Sequence, residues 1–439
     1  MDKNSCCGET LFTRNFILTC FATLLFYMSF HLLLPTLPVY VLGLGGTKGD
    51  VGLVMSAFAM ASVFMRPFAG RWADEGHKKG LMLAGAFVYV ASAILYQVVP
   101  HVKGLVAVRF LHGLGIGMYS TAASSLVSDS VPRHRRGEGL GYFLLATSLA
   151  MAIGPVAGVG IVEKLSYPAL FMSSATLAGV VFVCTLFIAA PTVAGSNAAH
   201  SCGAVGCKRP QNSGGPAGAA RRPCGVLAGI DSLLGLEALF PSVTLGLGSA
   251  TYGSIASFIA VYAGSRGISN PGIFFTVFAL SMFATRTFAG RISDRHGRAS
   301  VIAPGLAAIS LGMAVLAGSR STVSFALAAV VYGVGFSVMQ PTVTALMVDF
   351  VRPERRGTAM GTLMAMYDVG IAMGGVVAGW IAERLPLAAV YWCMSGVGAF
   401  GLMVFLCGYR RYCFAQRGAV ASQPALAEQA VAAGRAEVE

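Results

Sequence analysis

The chain of 439 residues is too apolar to be a soluble protein. Hydrophobic residues make up 56% of it and charged residues only 11%, at a mean hydropathy of +0.71, whereas a soluble domain carries about 25% charged residues. The composition therefore excludes a soluble globular fold and predicts an integral membrane protein that is surrounded by the lipid bilayer.

Apolar runs long enough to form transmembrane helices recur along the whole chain. A helix needs about 20 residues to cross a bilayer, and twelve runs of this kind are predicted. In chain order, the predicted spans are 15–42, 48–70, 80–99, 104–128, 138–162, 168–190, 232–263, 270–290, 299–318, 322–348, 358–382 and 388–409. Transmembrane barrels would instead show alternating segments of about ten residues, so the predicted class is an all-α membrane protein with twelve transmembrane helices.

Positive charge is unevenly distributed between the loops, within a net charge of +13. Several Lys or Arg residues cluster at 78–79, 133–136 and 352–356, while loops on the other side of the spans hold single cations such as Lys48 and Arg266. By the positive-inside rule the rich loops and both termini are cytoplasmic, in an inner (cytoplasmic) or plasma membrane. The basicity is thus explained by membrane topology, and no binding to nucleic acid is expected.

Residues 191–231 interrupt the pattern after six spans. This segment is rich in Gly, Ala, Ser, Pro and Arg, a composition typical of flexible linkers. We therefore predict two units of six spans, at 1–190 and 232–410, joined by a cytoplasmic linker at 191–231. Residues 411–439 are predicted to form a cytoplasmic tail.

No metal or other cofactor is predicted. The linker contains His200, Cys202, Cys207 and Cys224, but their spacing fits no standard metal site. The linker and tail sequences contain no phosphate-binding loop, which an ATP-driven pump would need there. A proton gradient is therefore the expected energy source.

The two halves repeat each other at a shift of 220 residues. RPFAGRWADEGHKK at 66–79 resembles RTFAGRISDRHGR at 286–298, and the same shift aligns Asp129 with Asp349 and the RRG of 135–137 with a second RRG. This register predicts two homologous six-helix bundles in parallel topology. Proteins built in this way place a substrate site near the membrane midplane, between the halves, and rock about it to alternate access.

The repeated stretch also resembles a family signature. In the major facilitator superfamily, the loop between helices 2 and 3 runs Gly-x-x-x-Asp, followed by a basic residue, Gly and further basic residues. Gly290 and Asp294 begin a close match, whereas the first copy has Glu75 where a basic residue is usual and Gly76 one position early. The chain resembles this family over nearly all its length outside the linker and tail. The resemblance implies a transporter with the major facilitator fold, and not an enzyme.

Each copy of the signature is predicted to form a latch that holds one conformation. Glycine allows two helices to approach closely, and a carboxylate beside an arginine forms charge-assisted hydrogen bonds. The predicted clusters are Gly70, Arg71, Asp74 and Asp129 in the first half, and Gly290, Arg291, Asp294 and Asp349 in the second. The alternative is that these loop charges only set the membrane topology.

The fourth span contains an arginine well inside its apolar run. In RFLHGLGIGMYS, at 109–120, Arg109 precedes a row of glycines, which resembles the helix-4 motif that the family links to proton coupling. A charged residue within a membrane is costly and usually faces a cavity or a partner. Helical spacing puts Arg109, His112 and Tyr119 on one face. The alternative is an arginine that snorkels to the outer surface.

The fifth span contains AMAIGPVAG, in which Gly154, Pro155 and Gly158 resemble the glycine-proline motif of proton-driven antiporters. Proline removes a backbone donor and bends a helix, while glycine permits tight packing. The aligned pair in the second half is Gly374 and Gly375, so the proline is confined to one bundle. This asymmetry favours export over uptake; a kinked helix without directional meaning is the alternative.

Proton coupling needs a group that titrates inside the membrane. Asp368 lies near the middle of the eleventh span, and burial favours the neutral form of a carboxyl group, which suits it to carry a proton. His31 in the first span is a second titratable candidate, and Arg109 is expected to bias the protonation. The alternatives are a carboxyl held by a static hydrogen bond and a satisfied core histidine.

The family resemblance also implies a substrate cavity formed by helices 1, 4, 7 and 10. The polar and aromatic residues expected to line it are Tyr27, His112, Tyr119, Tyr252 and Gln340. With 10% aromatic residues in the chain, packing is the alternative role for each ring.

The sequence thus predicts a monomeric secondary active transporter that couples protons to the efflux of a small organic solute. RRGEGLGYF at 135–143, with the LAMAIGP that follows, resembles bacterial efflux proteins that export drugs, metabolites or opine-type metal chelators. A nutrient uptake symporter and a non-transporting receptor are the alternatives left open.

Overall fold

The computed structural model describes residues 12–99, 101–131, 136–189, 239–268, 270–351 and 356–410. The helices of the first half are α1 Arg14–Leu33, α2 Leu37–Gly43, α3 Lys48–Asp74, α4 Lys78–Val98, α5 Val102–Ser130, α6 Arg136–Lys164 and α7 Tyr167–Leu186. Those of the second half are α8 Leu239–Ser265, α9 Gly272–His296, α10 Ala299–Gly318, α11 Thr322–Phe350, α12 Arg356–Arg384 and α13 Leu387–Arg410. The linker at 191–231 and the tail at 411–439, with the linker's histidine and cysteines, lie outside the described residues.

These helices follow from the apolar runs, and the predicted all-α membrane fold is confirmed. Ten described helical segments are long and apolar enough to cross a membrane. The 29-residue α5 is also long enough, but Lys103, Arg109 and His112 make it more polar. Large rings such as Phe64 and Phe87 project outwards, with 60% and 63% of their surface exposed, as expected for side chains that contact lipid.

The helix bounds differ from the predicted spans in two ways. The first span is divided into α1 and α2 at Pro35 and Thr36, because proline cannot donate the next backbone hydrogen bond. Several helices also run past their apolar segments: α3 continues to Asp74 and α6 begins at Arg136. Hydropathy marks only the part of a helix inside the hydrocarbon layer, and charged turns continue the helix into the interface.

Each half packs as a bundle, and two helix pairs form most of the contact between the bundles. In the first half α5 packs on α3 and α4, and α1 packs on α6 and α7; in the second half α11 packs on α9 and α10, and α8 packs on α12. The bundles meet where α3 contacts α12 and where α6 contacts α9. These two contacts exchange places under the 220-residue shift, so the molecule has approximate two-fold symmetry.

The bundles are joined at one face of the membrane, which we call the closed face: the side where α3 begins and α12 ends. There the Glu383 carboxylate accepts hydrogen bonds from Thr47 Oγ1 and from Gly49 N, both at 3.1 Å. A Cβ at Gly52 would lie 2.6 Å from the carbonyl oxygen of Gly375, so only glycine permits this approach. The opposite side, where α3 ends and α4 begins, carries Lys78, Lys79, Arg295 and Arg298 among the described residues and is called the basic face.

Candidate substrate cavity

A cavity of about 610 Å³ lies between the bundles, on the basic-face side of these closing contacts. It is lined by α1, α3, α5 and α6 from the first half and by α8, α9, α11 and α12 from the second. Its volume falls within the range of small-molecule sites, about 300–1,000 Å³. The ionisable lining residues other than tyrosine are His31, Arg66, Arg109, Arg286 and Asp368.

One ion pair crosses from bundle to bundle inside the cavity. Arg66 Nε on α3 lies 2.7 Å from Asp368 Oδ2 on α12, and Arg66 Nη2 donates a hydrogen bond to Oδ1 at 3.3 Å. The Asp368 side chain is only 8% exposed and that of Arg66 36% exposed. The carboxylate that the sequence singles out is therefore held by a cation of the other bundle, and a change in its charge would alter the contact between the bundles.

Arg286 on α9 occupies the position equivalent to Arg66 under the repeat, but it has no equivalent partner. Among the described residues no carboxylate forms an ion pair with Arg286, and its buried Nε lacks a hydrogen-bond acceptor. The position equivalent to Asp368 is Ser148 on α6, which also lines the cavity and donates its hydroxyl hydrogen to Leu144 O at 2.9 Å. The cavity thus has an equivalent arginine in each half, but an acid opposite only one of the two arginines.

Arg66 and Arg286 were not among the residues predicted from the sequence. The signal was present, since both open the repeated stretch, in RPFAGR and RTFAGR, 220 residues apart. Both also lie inside a helix and several residues before the loop signature. Two aligned arginines within otherwise apolar spans indicate a shared site for the same reason that singles out Arg109.

Arg109 is fully buried and faces neutral groups. Its Nη1 lies 3.3 Å from His112 Nδ1, its Nη2 donates to Met55 Sδ at 3.6 Å, and its guanidinium lies 5.1 Å from the centre of the Phe58 ring. Because a guanidinium only donates, Nδ1 of His112 acts as the acceptor and the ring is neutral. The structure thus places Arg109 against the cavity wall, and the outer-surface alternative does not apply.

His112 and Tyr119 differ from the prediction, because neither is among the described residues that line the cavity. His112 packs against the Tyr89 ring at 3.9 Å between ring centres, and Tyr119 stacks on Phe26 at the same distance. The glycine row brings α5 so close to α3 and α4 that this face of the helix is covered by neighbouring helices. The structure does place Tyr27, Tyr252 and Gln340 in the cavity lining.

The glycine-proline motif of α6 lies against α1. A Cβ at Gly154 would be 2.6 Å from His31 Cβ, and one at Gly158 would collide with the Leu32 carbonyl. His31 is 5% exposed, and its buried Nδ1 has no hydrogen-bond partner in the described structure. In the second half a Cβ at Gly374 would likewise collide with backbone of α8. Close packing is therefore common to both halves, and Pro155 alone distinguishes them.

At the basic face the two acids of the predicted latches pair with other cations than expected. Asp129 forms an ion pair with Lys78, and Arg298 Nε lies 3.3 Å from Asp349 Oδ2. The two pairs are again one repeat apart, and each joins the start of one helix to the end of the next. Lys78 and Arg298 reach these carboxylates because the start of each helix packs beside the end of the next one at the basic face.

The remaining members of the predicted latches contribute less to the described structure. The side chain of Arg71 is exposed, and a Cβ at Gly70 would meet nothing within 4 Å, so the close helix approach expected there is absent in this conformation. The side chains of Asp74, Arg291 and Asp294, and the surroundings of Gly290, lie outside the described residues.

Two symmetric helical bundles around a central cavity are the architecture of transporters that work by alternating access. The family model of the Major Facilitator Superfamily matches residues 19–274 and again 242–412. The chain belongs to this family, and it is accordingly a multi-pass membrane transporter of small molecules and not an enzyme.

Relatives of known name are similar over most of their length. The staphylopine export protein of Staphylococcus aureus (strain Mu50) is 24% identical over 388 residues, which cover 87% of this chain and 91% of that protein. The quinolone resistance protein NorA of Staphylococcus aureus (strain MSSA476) is 23% identical over 393 residues, which cover 88% and 94%.

Solved structures share the fold at lower identity. The nucleoside transporter NupG superimposes with a TM-score of 0.67 at 18% identity, covering 90% of this chain and 99% of that one. A peptide transporter POT in complex with sulfate gives a TM-score of 0.68 at 16% identity, covering 91% and 94%. At this level of identity the likeness applies to the fold alone.

Proposed function

We propose that the protein exports a small organic solute in exchange for protons by alternating access. The observation that carries this proposal is the Arg66–Asp368 ion pair, in which the acid of one bundle is held by the cation of the other inside the cavity. The similarity to proteins named for staphylopine export and for quinolone resistance supports efflux. Pro155, which has no counterpart in the second half, supports the same direction.

Charge neutralisation at Asp368 is the proposed coupling step. When the carboxylate takes up a proton, its attraction to Arg66 is lost, and one of the links between α3 and α12 weakens. A ligand or proton shifts a conformational equilibrium only if it binds the two states differently, and this ion pair supplies such a difference. We assign the conformation described here, with the pair formed, to the protein after proton release at the basic face.

In the proposed cycle, protons and the solute move in opposite directions across the membrane. The solute enters the cavity from the basic face, the closed face opens, and the solute leaves as Asp368 takes a proton from that side. The protonated carrier then returns and releases its proton at the basic face. Arg109 and His31 are proposed to position and bias this step from the wall of the cavity, and the Lys78–Asp129 and Arg298–Asp349 pairs to hold the latch regions.

The proposal includes the membrane topology that the loop charges predict. The basic face is cytoplasmic, both termini lie on that side in an inner or plasma membrane, and the protein acts as a monomer without a cofactor. The predicted boundaries, with bundles at 1–190 and 232–410, the linker at 191–231 and the tail at 411–439, belong to the same proposal.

The test uses cells and then vesicles. Metabolites and drugs that accumulate in cells without the transporter are supplied to inside-out vesicles whose lumen is acidic. Wild-type protein is expected to concentrate the solute in the lumen only while the gradient lasts, Asp368→Asn to fail, and the exposed-acid control Glu163→Gln to transport normally.

Three results would overturn parts of the proposal. Normal gradient-driven transport by Asp368→Asn would exclude this residue as the proton carrier. Accumulation that occurs only in right-side-out vesicles would indicate a nutrient uptake symporter. Specific binding without transport in either orientation would indicate a receptor.

A further inference from the structure

The charges that line the cavity are unbalanced. Three arginines and one aspartate contribute to the described lining, so two positive charges have no carboxylate of the wall to oppose them. Arg109 is enclosed by an imidazole, a thioether and an aromatic face. Arg286 differs because, among the described residues, its guanidinium forms neither an ion pair nor a hydrogen bond; its Nε is buried without an acceptor, as is that of Arg109.

The repeat shows which group is missing opposite Arg286. At the α3–α12 contact, Arg66 is matched by Asp368; at the equivalent α9–α6 contact, Arg286 has Ser148 at the position of the acid. Serine carries no charge, and its hydroxyl hydrogen is donated to the backbone of its own helix. A cation buried without a counter-charge is unfavourable in a membrane protein. The geometry therefore leaves a place for a negative group supplied from outside the chain.

We propose that the solute is an organic anion and that Arg286 binds its acidic group. The solute's carboxylate takes up at Arg286 the position that Asp368 takes up at Arg66, and this inference rests on the transport function proposed above. A guanidinium binds a carboxylate through charge-assisted hydrogen bonds, which fix orientation as well as charge. Asp368 remains paired with Arg66 while the solute binds, so the solute binds at Arg286 and the proton is carried at a separate site, Asp368.

The rest of the lining fits an anion with an apolar or aromatic body. Tyr252 and Phe336 stack at 5.3 Å between ring centres and both line the cavity, as does Tyr27 on the opposite bundle. Gln340 adds a neutral hydrogen-bonding group. A cavity of about 610 Å³ holds a drug-sized molecule with one charged end. A solute of this kind would place its acid at Arg286 and its body against these rings.

The first experiment measures ligand charge directly. The purified full chain in detergent is heated with a panel of carboxylic acids, each paired with its neutral methyl ester and accompanied by organic cations of similar size. The expected result is that some acids raise the unfolding temperature while their esters do not. Stabilisation by esters or cations to the same degree as by acids, or no stabilisation by any acid, overturns the proposal.

Variants then locate the site with the acid that binds best. Arg286→Gln is expected to weaken its binding by about 10-fold or more, the loss of roughly one charge-assisted contact, and Arg286→Lys to retain part of the affinity. Arg320→Gln removes an exposed arginine and serves as the control. Unchanged binding by Arg286→Gln overturns the assignment.

A second pair of variants tests the effect of an acid placed opposite Arg286. Ser148→Asp should provide Arg286 with the counter-charge that Asp368 gives Arg66, and thereby abolish binding of the acid in a folded protein. Ser148→Asn, similar in size but uncharged, should bind within about 3-fold of wild type, since it changes no charge. If both variants bind alike, charge opposite Arg286 does not control binding and the proposal fails.

These experiments distinguish a failure of the anion site at Arg286 from a failure of the proposed transport function. Proton-driven export of a neutral or cationic solute, unaffected by Arg286→Gln, would support the transport cycle and overturn the anion site. Binding of acids that depends on Arg286, without gradient-driven transport, would do the reverse.

Discussion

At the α3–α12 contact, Ser56 Oγ donates a hydrogen bond to Ala372 O at 2.6 Å; at the α6–α9 contact, Thr276 Oγ1 donates to Ala152 O, also at 2.6 Å. Donors and acceptors are each one repeat apart. The two contacts that join the bundles therefore share the same hydrogen bond in the same register, and the hydroxyl is kept although the residue type differs.

The two contacts differ where charge and helix shape are concerned. Asp368 on α12 is replaced by Ser148 on α6, and Pro155 on α6 is replaced by Gly375 on α12. A scaffold that is the same in both halves thus carries an ion pair on one side only. The comparison shows that the symmetric parts determine the architecture, while the asymmetric parts are the candidates for coupling and substrate selection.

The largest expected difference between the two contacts concerns their arginines. Arg66→Gln leaves a buried carboxylate without its partner and is expected to lower the free energy of unfolding by about 2–3 kcal/mol, which is less than the roughly 3–5 kcal/mol of a fully buried pair because water screens the partly exposed Arg66. Arg286→Gln breaks no pair and should cost less than about 1 kcal/mol. Thermal unfolding of both purified variants measures the difference.

The double variant Arg66→Gln with Asp368→Asn is the control for this prediction. Because it removes both charges, it should recover most of the stability lost in Arg66→Gln, and the cycle isolates the pair. Equal stability of the two single arginine variants would mean that the ion pair contributes nothing to joining the bundles.

Close packing of α6 on α1 gives the next largest effect. Gly158→Ala places a methyl group against the Leu32 carbonyl and should destabilise the protein by about 2 kcal/mol, as expected for overpacking. Gly160→Ala, on the same helix, meets nothing within 4 Å and should be neutral or stabilising by up to about 1 kcal/mol through helix propensity. Unfolding temperatures that fall equally would show that helix propensity and not the contact decides the outcome.

The shared hydrogen bond allows a test of the symmetry itself. Ser56→Ala and Thr276→Val each remove one bond between the bundles and should each favour opening of the closed face by about 1 kcal/mol. Distances between spin labels placed on Lys48 and Arg384 report the opening. Thr276→Ser retains the hydroxyl and should resemble wild type; unequal effects of the first two variants would show that one contact dominates closure.

Much of this architecture is predictable from the sequence, because each part has a local signal. Apolar length gives the helices, the 220-residue register gives two bundles, and a lone carboxylate in mid-span identifies Asp368. Arg66 and Arg286 were predictable from the same register, but the nearby loop signature directed the interpretation to the loop instead. Arg66 lies opposite Asp368 and Arg286 opposite Ser148 because α3 packs on α12 and α9 packs on α6. The 220-residue register alone does not specify which helices of the two bundles pack together.

Other parts of the site depend on packing that a helical period does not specify. A period of 3.6 residues places His112 and Tyr119 on the face of Arg109, but it does not tell which neighbour covers each turn. Close approach at the glycine row buries both rings in the bundle. Similarly, the charge pattern gives Asp129 an attractive partner nearby without deciding between Arg71 and Lys78.

The smallest effect on stability is expected at the basic face, where the equivalent pairs Lys78–Asp129 and Arg298–Asp349 leave their carboxylates 49% and 51% exposed. Water and salt screen such pairs, so Asp129→Asn and Asp349→Asn should each cost only about 0.5 kcal/mol, and less at high salt. If the latch proposal is right, transport should nevertheless fall in both variants, because the helix ends that each pair joins at the basic face are no longer held together. Glu75→Gln, an exposed acid at the same face, is the control for transport in vesicles. A loss of transport without a loss of stability separates a latch from a topology signal, since charges that only direct insertion have finished acting once the protein is in the membrane.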